Sequence, residues 1–296
     1  MQRAAGPTLI CPFDGLPLAS EGPDQGTSLV CQRRHTFDRA REGYINLLPV
    51  QDKASRDPGD SKEMVAARHR FLNTDAYAPI AVALADAAAA TLARRRRPGP
   101  AVILDAGCGE GYYLERLAQN LAQRLAAKDA AGTIQLAGID ISKWAVRVAA
   151  KRNVSATWAV ASNRRPPFAR ASVDLIVCLF GFPIWEGFAP VQPQGGEVIL
   201  IDPGPDHLQE LRAIIYPEVN RSARPSLTPQ PGYAPVAEST HLSRAHIATP
   251  NAIADLLAMT PHAHRASSEG RTRLVACTTL DVTIDVVIRT YARTAA

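Results

Sequence analysis

The sequence predicts an α/β fold, a doubly wound and mostly parallel sheet with helices on both faces. Three observations predict it. From residue 101 to residue 216, short apolar runs alternate with helical stretches at the spacing of βαβ units. A glycine-rich turn, Asp105-Ala106-Gly107-Cys108-Gly109-Glu110-Gly111, joins the first apolar run to a helix. A second acid, Asp140, closes the next apolar run. Ligands of such sheets bind beyond the carboxyl ends of the strands, where both acids fall.

Taken in order, residues 1–48 form a small separate module. Cys11 and Asp14 stand three apart, and Cys31 and His35 stand four apart. Zinc modules place ligands as two such pairs, commonly with Cys where Asp14 stands here. The residues leave three outcomes open: zinc on Cys11, Asp14, Cys31 and His35, zinc held weakly by three of them, or no metal. Without metal, so small a module needs other support, such as docking on the larger domain. The stretch from His35 to Leu48 mixes arginine, aromatic and polar residues, as an RNA contact or a surface linker would.

Residues 49–100 link this module to the main domain. Asp60 and Glu63 read as a capping box that opens a helix, which docks through Met64, Ala67, Phe71 and Leu72. An alanine-rich helix covers residues 79–92. Arg94 to Arg97 then read as a solvated helix end that suits the macrodipole.

Residues 101–296 form the main domain. Strands are expected at 102–105, 133–139, 156–160, 173–179 and 198–202, and helices at 112–126, 143–152 and 206–216. In the turn, Gly107 and Gly109 let backbone approach a ligand, and the helix that follows aims N–H groups at it. Asp140, at the second strand end, is placed to accept hydrogen bonds from ribose hydroxyls. Asp105 joins it at the same sheet edge. The extra length before Asp140 falls in a loop at residues 128–132. Residues 217–248 read as a long structureless segment of the kind that carries function or motion. A helix follows at 251–259, capped by Thr249 with Pro250 at its start. Runs at 274–280 and 282–289 read as a closing hairpin turned at Asp281.

Composition limits the possible functions. The 296 residues suffice for one large domain and a small one, and 46% hydrophobic residues exclude wholesale disorder. The formal charge of +5 suits a polyanionic partner without requiring one. Five cysteines, an odd number, argue against a disulfide framework and for a reducing compartment. No basic segment leads into an apolar one at the start, and no apolar run nears the ~20 residues of a membrane helix. These features place the protein in the cytoplasm.

Several stretches together resemble one family, the RlmA-type 23S ribosomal RNA (guanine-N1-)-methyltransferases. They are Cys11-Pro12, Cys31 with His35, Phe37 and Asp38, Arg41-Glu42-Gly43-Tyr44, and Asn46 to Val50. Further on come Asp57-Pro58-Gly59-Asp60, Glu63-Met64 with Ala67-Arg68, the turn from Asp105 to Tyr113, and Pro203-Gly204-Pro205 with His207-Leu208. The glycine turn is common to many methyltransferases, whereas the stretches at 41–50 and 57–60 are far more specific. The resemblance implies a Rossmann-like methyltransferase domain that uses S-adenosylmethionine, with a terminal antiparallel strand. It also implies an N-terminal zinc-ribbon-like module that grips an RNA hairpin. By matching position it assigns donor contacts to Tyr77, Gly109, Glu110 and His207. The implied partner is 23S ribosomal RNA and the implied target is guanine N1, with the oligomeric state, a homodimer included, left open.

Two departures from the family pattern stand out. Asp14 replaces a cysteine, and residues 181–195, after the fourth strand, are unusually rich in Phe, Pro and Gly. Phe180, Phe182 and Pro183 are placed to wall a base pocket or to fill core. No residue of the sequence identifies itself as the acceptor of the N1 proton. Two alternatives share the fold: a methyltransferase for small molecules, and a catalytically silent protein that binds S-adenosylmethionine or RNA.

Overall fold

The computed structural model describes residues 6–20, 26–53, 55, 57–126, 134–153, 155–219, 221 and 223–295. The loop expected at 128–132 lies outside them. In chain order the elements begin with strands β1 (Ala19–Ser20), β2 (Ser28–Val30), β3 (Thr36–Asp38) and β4 (Ile45–Asn46). Then come α1 (Lys62–Leu72), α2 (Ala78–Arg94), β5 (Ala101–Ala106), α3 (Tyr112–Ala126), β6 (Ile134–Asp140), α4 (Lys143–Arg152) and β7 (Thr157–Val160). The chain continues through β8 (Leu175–Leu179), α5 (Trp185–Val191), β9 (Glu197–Pro203), α6 (Gln209–Ile215) and β10 (Tyr233–Ile247). It closes with α7 (Pro250–Ala258), α8 (His262–Arg265), α9 (Ser268–Val275) and β11 (Leu280–Arg293). Among the described residues, no helix is long and apolar enough to cross a membrane.

The large sheet has the order β10-β11-β9-β8-β5-β6-β7-β4. From β9 to β4 every pairing is parallel, and β11 closes against β9 in the antiparallel sense. Every residue of β5 and β8 is buried, as expected of strands covered on both faces. Strand order reverses between β5 and β8, so the crevice of a doubly wound sheet opens at the carboxyl end of β5.

The ribbon, a three-stranded antiparallel sheet of β1, β2 and β3, is docked on this framework. Ile10 N–H donates to the Pro167 carbonyl at 3.0 Å and Ala169 N–H to the Thr8 carbonyl at 3.2 Å. Leu9 and Leu29 are buried in the same apolar cluster as Phe168, Val102 and Leu104. The chain then adds β4 to the sheet edge, where Ile45 and Asn46 pair with Ala159 and Val160. Tyr44, Ile45, Leu47 and Leu48 are buried there, so much of the arginine- and aromatic-rich stretch is packing.

Four expectations are corrected. The segment at 217–248 is not structureless, since it contains the 15-residue β10. The closing hairpin is not 274–280 with 282–289: Ser268–Val275 is helical, and β11 pairs along its length with β10. The cap of α1 is Ser61, whose hydroxyl accepts from Met64 N–H at 3.2 Å, which frees the Asp60 carboxylate to pair with Arg68. The arginine run is not simply solvated. Arg94 bonds the buried Glu197 at 2.7 Å, and Arg95 and Arg97 meet the buried Asp174 at 3.2 and 3.1 Å. Asp174 also holds Val102 N–H at 2.9 Å, so the run fastens the amino ends of the strands.

Candidate functional site

The ribbon gathers its four candidate ligands from two turns. In the first, Cys11 N–H donates to Leu16 carbonyl at 2.8 Å and Gly15 N–H to Cys11 carbonyl at 2.9 Å. In the second, Cys31 N–H donates to His35 carbonyl at 3.1 Å, and Arg34 takes a left-handed φ of 67° to close it. One side-chain ligand atom from each of Cys11, Asp14, Cys31 and His35 lies within 4.8 Å of all the others. His35 Nδ1 is 3.4 Å from both sulfurs and 3.0 Å from Asp14 Oδ2. Two thiolates, an imidazole and a carboxylate are ligand types for tetrahedral zinc at ~2.0–2.3 Å. Leu16 N–H occupies Asp14 Oδ1 at 3.0 Å, which leaves Oδ2 turned to the cluster as a single ligand atom. These residues fit the metal.

At the carboxyl end of β5, the glycine turn is pinned to the end of β6. Gly107 and Cys108 N–H both donate to the Ile139 carbonyl, at 2.8 and 2.9 Å. Asp140 holds Gly109 N–H with one carboxylate oxygen at 2.9 Å and Ser142 N–H with the other at 2.8 Å. The three glycines divide the work. A Cβ on Gly111, whose φ is 85°, would lie 2.9 Å from Ala149 and 3.0 Å from Trp158, so this glycine serves helix–strand packing. A Cβ on Gly107 would meet only Asn163 Nδ2 at 3.9 Å, and one on Gly109 only Arg68, its nearest atom at 3.6 Å. No backbone crowds either of them, and only the ends of polar side chains stand opposite, which leaves room for a ligand cradle.

Two acids sit under that space. Burial, with the nearby Asp140 adding to it, pushes the Asp105 carboxyl up to about 8. Burial likewise raises Asp140, against the pull of the two N–H groups it holds. Glu110 points back into the protein. Its Oε2 accepts from Arg152 Nε at 2.9 Å and meets His69 Nδ1 at 3.0 Å, while its buried Oε1 has no partner.

Tyr77 and His207 form the far wall. Asp285 N–H donates to His207 Nδ1 at 3.3 Å, and Tyr77 Oη is 3.2 Å from His207 Nε2. Burial lowers the imidazole to about 4, so at neutral pH it carries one proton. With Nδ1 accepting, that proton is on Nε2 and is donated to Tyr77. Phe180, with a left-handed φ of 52°, stands between these rings and Tyr113, at centroid distances of 5.7 to 6.3 Å. Tyr113 Oη is buried without a partner.

The sequence-derived candidates lie in two places: Cys11, Asp14, Cys31 and His35 in the ribbon, and Asp105, Gly107, Gly109, Glu110 and Asp140 at the glycine turn, with the Tyr77–His207 pair meeting Tyr113, just after the turn, through Phe180. The sequence reading gave no role to Arg68, Tyr113 or Asn163. Asn163 Nδ2 links Ala106 carbonyl at 3.4 Å to Phe182 carbonyl at 3.2 Å, beside a Phe182 side chain that is 85% exposed. Its place just past a strand end was the available signal. Next to it, a groove of about 480 Å³ runs between ribbon and sheet, lined by Pro12, Leu48, Pro49, Ser162, Arg164 and Arg165 among others.

Residues 9–56 match a zinc-ribbon family described as "RlmA, N-terminal", and residues 103–192 match one described as "Methyltransferase domain". A Micromonospora griseorubida protein, provisionally named 23S rRNA (guanine-N(1)-)-methyltransferase, is 33% identical over 96% of each chain. A Bacillus subtilis protein with the same provisional name is 32% identical over 92% of this chain and 94% of its own. The 23S rRNA (guanine(748)-N(1))-methyltransferase of Streptomyces fradiae is 33% identical over 69% of this chain and 66% of its own. The ribbon with its ligand cluster, the glycine turn and near full-length similarity agree: the chain belongs to the family of RlmA-type 23S rRNA (guanine-N1-)-methyltransferases.

Proposed function

We propose that the protein transfers a methyl group from S-adenosylmethionine to N1 of a guanine in a hairpin loop of 23S ribosomal RNA. The observation that carries this reading is the groove, which brings Pro12 of the ribbon together with Arg164 and with Arg165, itself paired with Asp52 at 3.2 Å, just beyond the end of β7. S-adenosylmethionine supplies the methyl group as a good electrophile on sulfur. Gly107 and Gly109 let the backbone close on the donor, and the lone pairs Asp140 has left accept from its ribose hydroxyls. Asp105, Tyr77 and His207 line the remainder of the donor site, and Glu110, whose side chain is turned inward onto Arg152 and His69, contributes through its backbone. Methyl transfer is an in-line displacement, so the chief task of the protein is alignment at ~3–3.5 Å. As the new C–N bond forms, the C–S bond breaks and the N1 proton passes to solvent.

Chemistry on a base requires it to leave its stack. Phe182, exposed at the end of β8, offers an apolar plate for that base, and Arg164 and Arg165 offer charge to the backbone. Cys11, Asp14, Cys31 and His35 would hold zinc, which serves there to cross-link the two turns.

The test combines labelled S-adenosylmethionine with ribosomal RNA and, separately, with a metabolite extract. Label in 23S RNA, with reverse transcription halting at one hairpin-loop guanine, is the expected result, since N1-methylguanine cannot form its Watson–Crick pair. Label only in the extract would point to a small-molecule enzyme, and no label anywhere to a silent binder.

A further inference from the structure

We propose that Arg68 is the anchor for the α-carboxylate of the donor's amino-acid end, and that the stretch from Asp57 to Asp60 exists to hold it in place. The proposal rests on the donor reading above. It starts from charge. The glycine turn is ringed by Asp60, Asp105 and Asp140, of which Asp105 is almost fully buried. That ring favours the sulfonium and ammonium groups of the donor and opposes its carboxylate. An anion entering it needs a cation already in place.

Among the described residues, Arg152 and Arg68 stand beside the turn. Arg152 is fully committed: its guanidinium bonds Glu110, Glu115, Asn73 and His69 at 2.8 to 2.9 Å. Arg68 is not. Nη1 pairs with Asp60 and Nη2 donates to the Met259 carbonyl at 3.2 Å, out of the five N–H groups a guanidinium carries. The same Nη1 lies 3.6 Å from the point where a Cβ on Gly109 would stand, so the cation closes the open side of the turn. Tyr113, two residues after Gly111, adds a buried hydroxyl that has no hydrogen-bond partner among the described residues.

What positions Arg68 is equally specific. Gly59, at φ 82°, sits so close to the start of α4 that a Cβ would lie 2.8 Å from Ile141 and 3.0 Å from Ser142. Ser142 Oγ donates to the Asp60 carbonyl at 2.7 Å, while Ser142 N–H is held by Asp140. The end of β6 therefore fixes Ser142, Ser142 fixes Asp60, and Asp60 aims Arg68 across Gly109. This gives the 57–60 stretch a task that neither a linker nor a helix cap requires.

Two ligands separate this role from a structural one. S-Adenosylhomocysteine carries the amino-acid end, and 5′-methylthioadenosine has the same nucleoside and thioether without it. By calorimetry on the full-length protein, Arg68→Met should weaken S-adenosylhomocysteine roughly ten- to a hundred-fold, the scale of a charged hydrogen bond. Methylthioadenosine should change by less than about twofold, a difference too small to signal a lost hydrogen bond. Arg68→Lys should recover part of the loss, and Asp60→Asn should weaken S-adenosylhomocysteine alone, to a smaller extent. Equal losses for both ligands, or an unchanged S-adenosylhomocysteine affinity, would overturn the proposal. If Arg68→Met does not fold, Asp60→Asn decides by the same two-ligand criterion. Wild-type protein that binds neither ligand would instead remove the donor reading itself.

Discussion

The ribbon and the glycine turn each bring chain segments into tight turns to make a candidate binding site, but by opposite means. In the ribbon the strands are two or three residues long, and backbone bonds only shape the loops from which four side chains converge. At the glycine turn the backbone is the candidate site, held by strands of six and seven residues, the first buried throughout and the second at Ala137, Gly138 and Ile139. A site made of side chains depends on whatever those side chains bind. A site made of backbone depends on the sheet beneath it, and outlasts the loss of its ligand.

The largest test of that contrast is to remove one ribbon ligand. With three ligands, metal affinity should collapse, and since metal binding is folding energy in small zinc modules, β1 to β3 should melt. Cys31→Ser should therefore abolish zinc in elemental analysis and expose the amides of residues 28–38 to hydrogen exchange. The amides of β5 and β6 should stay protected. Protection persisting in a metal-free ribbon would mean that docking through Leu9 and Leu29 suffices, and the contrast would fail. Asp14→Cys sharpens it from the other side. A third thiolate should raise zinc occupancy if the carboxylate is the weak ligand of the set.

How much of this the sequence disclosed follows from the same contrast. The glycine turn was legible because its signals are local: apolar run, acid, spaced glycines and helix lie within a short segment. The cluster of Cys11, Asp14, Cys31 and His35 was legible by spacing. What stayed hidden depends on distant pairing. Ile45 and Asn46 form an edge strand only because Ala159 and Val160 lie beside them. β10 was missed because it starts in a proline-rich stretch and most of its residues are exposed, so no alternating apolar face marks it. Arg68 was visible as a motif residue but not as a neighbour of Gly109, because a helix surface does not announce what it faces.

A smaller effect should come from Asp140, where side chain and backbone sites meet. Asp140→Ala should weaken donor binding by about 1.5–3 kcal/mol, the cost of a hydrogen bond to a charged group. Because Asp140 also pins Gly109 and Ser142, the melting temperature should fall as well. Calorimetry and thermal melts on one preparation separate the two roles: a lower melting temperature with unchanged affinity would leave Asp140 as a clamp for the turn and nothing more.

The smallest effect, and the one that most directly probes a buried acid beneath a backbone site, is a proton linkage at Asp105. Burial and the neighbouring Asp140 raise its carboxyl to about 8, so without ligand it is largely protonated at pH 7. A folded-state value above the unfolded one makes a contribution to stability that is complete below the ordinary carboxylate range and is lost as pH rises through about 8. The cationic donor has the opposite preference, because its ammonium and sulfonium favour the ionised carboxylate. Binding should therefore expel a proton, and affinity should fall as pH drops below about 8, by up to tenfold per unit. Titrations at pH 7 in two buffers of different ionisation enthalpy would count the proton, with a value approaching one expected for the wild type. In Asp105→Asn the released proton should vanish and the affinity should become flat with pH. A wild type that releases no proton would mean that Asp105 is already ionised in the free protein, or that the cationic groups of the donor lie elsewhere in the crevice.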